Sequence, residues 1–321
     1  LKLDFLYAAA LIPRNGKSRG QIMCEALDFL DQAAGSAITL GCEVPLRPAF
    51  GRFDYCRIGS DVAPYWEDYL KHLSYRERVS TENSLVSTIS RRQLDRRFFR
   101  NDPDVFLLRD GIKGVNENRL TEFQRATLFL LNYLLGGLFF FSDNYSELTI
   151  TQKIQLSRAF PLIETAVTGY EHCNHLHQFQ VRAGGKGYLI YANLAARPAK
   201  IKIPEGLWFS AEYFLTSAGA NLVLEPYQSV VFYRVNLEKD KPLCLLGAVG
   251  HLLPAAQVQT LTCNNGEAKL LLDSNASSAS VIYLALARDH YQYRVNGKIY
   301  RAEFNGNIAY LSIPFQGYRK E

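Results

Sequence analysis

The sequence predicts an α/β fold that gives way in its second half to antiparallel β structure. Three observations carry this. Over residues 1–164, short and wholly apolar runs alternate with segments of helical period, the pattern of parallel βαβ units whose strands are covered on both faces. From about Gly169, apolar and polar residues alternate at a period of two between Gly-, Pro- and Asn-bearing turns, as antiparallel strands of a sandwich do. Finally, the polar residues of the first part gather at the C-terminal ends of its strands, the end at which an eight-stranded α/β barrel carries its chemistry.

Taken in order, "LKLDFLY" (1–7) reads as a buried strand, and "IPRNGKSRG" as a turn into a helix over 21–33, whose apolar residues recur at three and four. Strands follow at 37–42 and 54–59, a helix from about Ser80 to Arg97, and a strand at 102–109. A helix at 121–135, the strand "LFFFSDN" (138–144) and a helix at 149–162 close this part. The β-rich part contributes strands at 177–183, 187–194, 199–204, 207–215 and 229–235. A charged break, "NLEKDKP" (236–242), precedes further strands at 269–273, 280–287 and 308–313, with "NG" (296–297) as a hairpin turn within 291–304. This gives three domains: 1–164, 165–236 and an additional β-rich module, 237–321.

Composition excludes several classes of function. The net charge of +5 is spread over 321 residues, and no basic block is dense enough to bind nucleic acid. The densest, "SRRQLDRRFFR" (90–100), reads as one helix with a solvated basic edge. The longest apolar run (127–141) is interrupted by Asn132 and a Gly pair, and a membrane span needs about 20 apolar residues. Six cysteines without a C-x-x-C pair suit a reduced, cytoplasmic protein rather than a disulfide framework.

Some motifs can be set aside. "NGKS" (15–18) ends like a phosphate-binding loop but has Leu11 where that loop needs glycine, so it reads as a turn with Ser18 as helix cap. His172, His175 and His177 have spacings a metal could use, yet they open the β-rich part and no carboxylates accompany them; no metal is expected. Asn275 begins a glycosylation sequon, which has no consequence in the cytoplasm.

The polar residues at the strand ends are harder to dismiss. Lys2 and Asp4 lie two apart in a strand and share one face. Asp61 follows "RIG" at the end of another strand. Two carboxylates facing one cavity from different barrel strands are the minimal equipment for glycoside hydrolysis: one attacks or stabilises the anomeric carbon, the other protonates the leaving oxygen. Lys2 and Arg57 would keep the nucleophile ionised and donate to sugar hydroxyls. Structural ion pairs, Lys2–Asp4 and Arg57–Asp61, account for the same spacing, and spacing alone leaves both readings open.

The segments "LKLDFLYAAAL" (1–11), "LGCEVPLRPAFGRFDYCRIGSDVAPYW" (40–66) and "NDPDVFLLRD" (101–110) resemble glycoside hydrolase family 36, the microbial and plant α-galactosidases. The resemblance covers residues 1–145 and is diffuse beyond. It implies the C-terminal part of a (β/α)8 barrel followed by an antiparallel β-sandwich, acting as a retaining α-galactosidase without cofactor. Asp4 falls on the family's nucleophile and Asp61 on its acid/base. Lys2, Arg57 and Cys42 fall on sugar-binding positions, Asp104 and its neighbour Asp102 on a motif at the rim, and Trp66 suits stacking on a sugar or packing. The implied partner is an α-galactoside oligosaccharide. Alternatives are a related α-glycosidase or transglycosylase (α-N-acetylgalactosaminidase or raffinose-synthase-like), with differences expected in the loop 43–52, and a non-catalytic sugar-binding protein on the same scaffold. Family members carry further strands and a β domain before K-x-D, so the chain reads as a fragment entered in mid-barrel and is expected not to hydrolyse α-galactosides alone. An open strand edge of that kind favours association and leaves a homo-oligomer open.

Overall fold

The computed structural model describes residues 1–67, 79–110, 118–237, 243–264, 267–272, 280–286, 292–295, 297–305 and 308–313. Most of the charged break at 236–242, the sequon at 275–277 and Asn296 of the "NG" turn lie outside the described residues. The chain divides into two compact units, Leu1–Asp143 and Asn144–Glu321.

In the first unit, β1 (Lys2–Leu3), β2 (Leu40–Gly41), β3 (Tyr55–Arg57) and β4 (Arg100–Asp102) pair in parallel and in sequence order, and β5 (Val105–Phe106) pairs in parallel with β6 (Phe140–Phe141). Helices α1 (Arg19–Ala34), the single turn α2 (Leu46–Ala49), α3 (Thr81–Arg91) and α4 (Glu122–Leu135) fill the connections. Their starts are written in the sequence. Ser18 caps α1 and Thr121 caps α4, each in a capping box with a glutamine three residues on, and Ser80 accepts from Asn83 N at the start of α3. Ile22, Met23 and Leu27 of α1 pack on Leu6, Val44, Phe53, Cys56 and Ile58, which form the core between helix and sheet. From Thr127 to Leu135, α4 is buried at every position, as an all-round apolar helix must be. Among the described residues no helix is long and apolar enough to cross a membrane.

The local structure departs from the sequence expectation at four places in residues 1–164. The strand at 1–7 stops at Leu3: the Asp4 side chain accepts from Phe5 N, Phe5 turns left-handed (φ 53°), and residues Leu6–Ala10 coil into a 3-10 helix. The apolar run serves the helix–sheet core rather than a longer strand. The strand at 102–109 breaks at Pro103, which has no N–H to pair, and Asp104 (φ 75°), separating β4 from β5. The block 90–100 is not one helix. After α3 and a 3-10 turn (Arg92–Leu94), Arg96 turns left-handed (φ 61°) and donates its N–H to Phe99 O, while the Asp95 carboxylate accepts from Asn101 N. In the second unit, α5 (Ile150–Ser157) ends well short of 162, because Pro161 cannot continue a helix.

The second unit is antiparallel. Strands β7 (Thr165–Cys173), β8 (Leu176–Ala183), β9 (Lys186–Asn193), β10 (Ala199–Lys202), β11 (Leu207–Ser210), β12 (Phe214–Ser217), β13 (Asn221–Leu224) and β14 (Ser229–Val235) build a six-stranded sheet, β12-β11-β14-β9-β8-β7, and the pair β10-β13. The single strand expected at 207–215 is two, because Ser210 Oγ accepts from Tyr213 N and Phe214 turns left-handed. Both faces of the larger sheet are covered, which is why "YLIYAN" is buried at every position. Leu189, Tyr191, Trp208 and Phe232 face Ile201 and Leu224 of β10-β13. On the other face Phe209 packs on Tyr283. Tyr283 lies in a second sheet, β15 (Leu243–Val249), β18 (Ser280–Leu286), β22 (Ile308–Ile313) and β21 (Glu303–Asn305). Two hairpins, β16 (Val258–Asn264) with β17 (Glu267–Leu272) and β19 (Tyr293–Val295) with β20 (Lys298–Tyr300), complete the unit. Gly247 is required on β15: a Cβ there would overlap the Phe209 ring.

His251 ties this unit together. Its Nδ1 accepts from Leu253 N (3.0 Å), so the proton sits on Nε2, which donates to Pro161 O (3.1 Å). Burial holds its pKa below the ordinary histidine value, although its two carbonyl contacts, on Pro161 and Leu253, pull the other way. The unfolded chain therefore takes up the proton first as pH falls through about 6.5, and this contribution is lost on the acid side. The unit's unfolding free energy in urea is expected to fall as pH drops below about 6.5, by up to ~1.4 kcal/mol per pH unit. His251→Leu, less stable throughout, should lack that step.

Candidate active site

The register of the parallel sheet brings the candidate residues into one row. Leu3, Gly41, Cys56 and Asn101 stand opposite one another, and Arg57 stands opposite Asp102. The next position on each strand is therefore Asp4, Cys42, Arg57 and Asp102. In-register residues of parallel strands point to the same side. The Cys56 row faces the helices and is buried among them, so the Asp4 row faces away. Lys2, two residues before Asp4, shares that side, and Lys2 Nζ lies 3.6 Å from Asp4 Oδ2.

Arg57 is the hub. Its Nε bonds Asp102 Oδ2 (2.8 Å), its Nη2 Asp104 Oδ1 (2.7 Å) and its Nη1 Asp61 Oδ1 (2.7 Å). Burial alone would lower the Arg57 pKa, but the neighbouring Asp102 and Asp104 outweigh it and raise it above the ordinary value. Burial likewise pushes Asp104 above the usual carboxylate range, with Arg57 and the Val62 N–H pulling it back and Asp61 and Asp102 pushing it further. Burial pushes the Cys42 thiol up to about 11, opposed by Arg57 and Lys2 and helped by Asp102 and Asp4. At neutral pH Cys42 is thus a protonated, uncharged wall and not a nucleophile.

Exposure sorts the four carboxylates. The Asp61 and Asp4 side chains are 71% and 43% exposed, those of Asp102 and Asp104 0% and 9%. The first two can meet a ligand; the second two hold the protein. Asp102 Oδ1 also accepts from Asp104 N (2.9 Å), and Asp104 Oδ2 accepts from Val62 N (2.7 Å).

The loop that carries Asp61 is fastened along its length. Ile58 O accepts from Arg91 of α3, and Ser60 Oγ from Asn83 Nδ2 (2.9 Å). Ala63 O accepts from Thr81 Oγ1 (2.6 Å), and Trp66 O from Glu82 N (2.9 Å). Gly59 lets the loop approach α3, since a Cβ there would lie 2.9 Å from Ser87 Cβ. Trp66 is half-buried with its backbone pinned in this way.

Sequence reading missed the residues that support the strand break. Ser84 Oγ donates to Pro103 O (3.2 Å), and Asn132 Nδ2 donates to Asp104 O and Val105 O (3.3 Å each). The signal for Asn132 was present: one amide in an otherwise apolar stretch of α4. A second ion pair, Arg109 Nη1 to Asp143 Oδ1 (2.7 Å), closes the ends of β5 and β6, and Asp143 Oδ2 accepts from Leu108 N (2.6 Å). In the β7–β8 hairpin His172 stands opposite His177, and Tyr170 Oη meets His177 Nδ1 at 2.9 Å. Among the described residues no cluster of three or more His, Cys, Asp or Glu side chains could hold a metal ion.

No family model matches the sequence. Among solved structures, the chain is similar to an α-galactosidase from Thermus thermophilus bound to p-nitrophenyl α-D-galactopyranoside, with 28% identity over 58% of this chain and 36% of that one (TM-score 0.46). It is similar to α-galactosidase I from Mortierella vinacea, with 14% identity over 67% of this chain and 62% of that one (TM-score 0.50). It is also similar to a family-27 β-L-arabinopyranosidase from Geobacillus stearothermophilus, with 13% identity over 75% of this chain and 58% of that one (TM-score 0.53). The chain thus spans between about a third and three fifths of the length of these proteins. Over two thirds to three quarters of its length, the chain shares the fold of part of the Mortierella vinacea and Geobacillus stearothermophilus enzymes.

Proposed function

We propose that this chain supplies the catalytic carboxylates of a retaining α-galactosidase, on the C-terminal part of a (β/α)8 barrel (1–164) followed by an antiparallel β-sandwich (165–236) and a further β-rich module (237–321). The observation that carries the reading is the pair of exposed carboxylates at the ends of β1 and β3, Asp4 beside Lys2 and Asp61 beside Arg57, with two buried carboxylates bracing Asp61 through Arg57. β2 lies between the two strands, about 10 Å from backbone to backbone, and a retaining pair needs its carboxyl groups ~5–5.5 Å apart across the sugar.

In this reading Lys2 stands beside Asp4, and Asp4 attacks the anomeric carbon from the face opposite the leaving oxygen. Asp61 gives its proton to that oxygen as the bond breaks. The resulting carboxylate then takes a proton from water, which attacks the glycosyl ester, frees Asp4 and restores the α configuration. Cys42, uncharged, and Arg57 line the sugar's side of the row. Residues 43–52, between β2 and β3, are the place to look for differences among related α-glycosidases. The free thiols of Cys24, Cys42, Cys56, Cys173 and Cys263 agree with a cytoplasmic enzyme.

The test uses the full-length protein. Wild type should release galactose from both an oligosaccharide and a nitrophenyl α-galactoside. Asp61→Ala should lower turnover of the oligosaccharide by about 10²–10⁴-fold while sparing the first step with nitrophenyl, a leaving group that needs little protonation. Equal loss on both substrates would remove Asp61 from the acid role. No hydrolysis of any α-galactoside by wild type would overturn the reading.

A further inference from the structure

Every polar group of Asp104 is held. Its N–H goes to Asp102 Oδ1, its C=O to Asn132, one carboxylate oxygen to Arg57 and the other to Val62 N. It is 7% exposed and sits at a left-handed φ of 75° at the break between β4 and β5, where Ser84 takes the preceding carbonyl. A side chain so buried, with both oxygens already bonded within the protein, is turned to the protein rather than to a sugar hydroxyl. What it does reach is the peptide that follows Asp61, through Val62 N, and the guanidinium that pairs with Asp61.

The geometry points to Asp104 as the positioning residue of the acid/base: it fixes the Asp61–Val62 peptide and takes up part of the Arg57 charge, so that Asp61 can hold the proton it must give. This rests on the role of Asp61 proposed above. A guanidinium at 2.7 Å favours the ionised form of a carboxylate, which is the wrong form for a general acid. Two further carboxylates on the same guanidinium oppose that pull. The other charged or titratable groups around this centre are Lys2 and Asp4 on β1, Cys42 on β2, Cys56 on β3 and Arg91 on α3. Lys2 and Arg91 add positive charge, so Asp102 and Asp104 are the anions that balance Arg57. Of the two side chains, that of Asp104 also bonds the loop of Asp61, at Val62 N.

Two variants of the full-length protein separate this from a merely structural role. Asp104→Asn keeps the shape and removes the charge, and its one acceptor oxygen can keep Val62 N while the bond to Arg57 is lost. The alkaline limb of its kcat/KM profile should move by about one pH unit toward acid, with KM little changed. Asp104→Ala also removes the anchor, and the Val62 amide should exchange with solvent about tenfold faster or more in the folded protein. A limb that stays in place in Asp104→Asn, or a raised KM at unchanged kcat, would overturn the assignment; the latter would put Asp104 on the sugar. If wild type shows no hydrolysis, the proposed function falls, and Val62 exchange still decides on the anchor: unchanged protection in the Ala variant would refute it. Should Asp104→Ala fail to fold, the Asn variant carries the test.

Discussion

Asp4→Gly is expected to lower α-galactoside turnover by the full-length protein by about 10⁴-fold or more, the loss typical of a missing nucleophile. Added azide should restore turnover and yield the β-galactosyl azide. The small anion fits the space left by the carboxylate and attacks from the same face, without the second displacement that returns the α configuration. The neighbours argue for this outcome rather than for collapse of the site. Asp4 follows a two-residue strand and is 43% exposed at its side chain, and its protein contacts are Lys2 and the Phe5 N–H. Its removal leaves no buried partner stranded. The Phe5 turn loses one hydrogen bond, about 1 kcal/mol, far short of the activity effect. If Asp4→Gly gave the α-azide, or if Asp61→Ala gave the β-azide, the two roles would have to be exchanged.

Arg57→Leu is expected to be the most destabilising single change in the first unit, by about 3–5 kcal/mol in urea unfolding at pH 7. Asp102 is fully buried and Asp104 nearly so, and both lose the cation that bonds them. Asp61, largely exposed, loses a partner but stays in water. The pH dependence tells the cause apart from simple loss of packing. Burial already pushes Asp104 up, and Arg57 is the largest influence holding it down, so in the variant Asp104 binds its proton more tightly still. A carboxyl whose folded pKa lies above its unfolded one, about 3.9, penalises the fold increasingly as pH rises past that value. The deficit of Arg57→Leu should therefore shrink from pH 7 toward pH 4. A deficit independent of pH would mean that the aliphatic stem of Arg57, not its charge, holds the strands.

Much of this arrangement is legible in residue order, and the limits of that legibility are physical. Helix starts could be read because capping is local: Ser18 with Gln21 and Thr121 with Gln124 need no distant partner. Lys2 and Asp4 could be placed on one side because strand alternation is local too. The extent of β1 could not. Nothing apolar in "LKLDFLY" announces that Asp4 bonds the next amide or that Tyr7 N will find Glu43 O from another connection (2.8 Å). The block 90–100 misled for a similar reason, since its arginines suit a helix while the return to β4 depends on Asp95 meeting Asn101 N. The buried half of the site was hidden most deeply. Asp102 and Asp104 could be noticed as part of "NDPD", but their bonds to Arg57 follow from the β3–β4 register, and Asn132 gains its meaning from a strand break 28 residues away.

The central claim is that Asp4 forms a covalent bond to the sugar. A 2-deoxy-2,2-difluoro α-galactoside with an activated leaving group would test it directly, because the fluorines slow the second displacement and the glycosyl-enzyme accumulates. After tryptic digestion, mass spectrometry should find the difluorogalactosyl ester on the peptide Leu3–Arg14, whose single acidic side chain is Asp4. Label on Ile58–Lys71, which carries Asp61, or inactivation with no labelled peptide from this chain, would contradict the account.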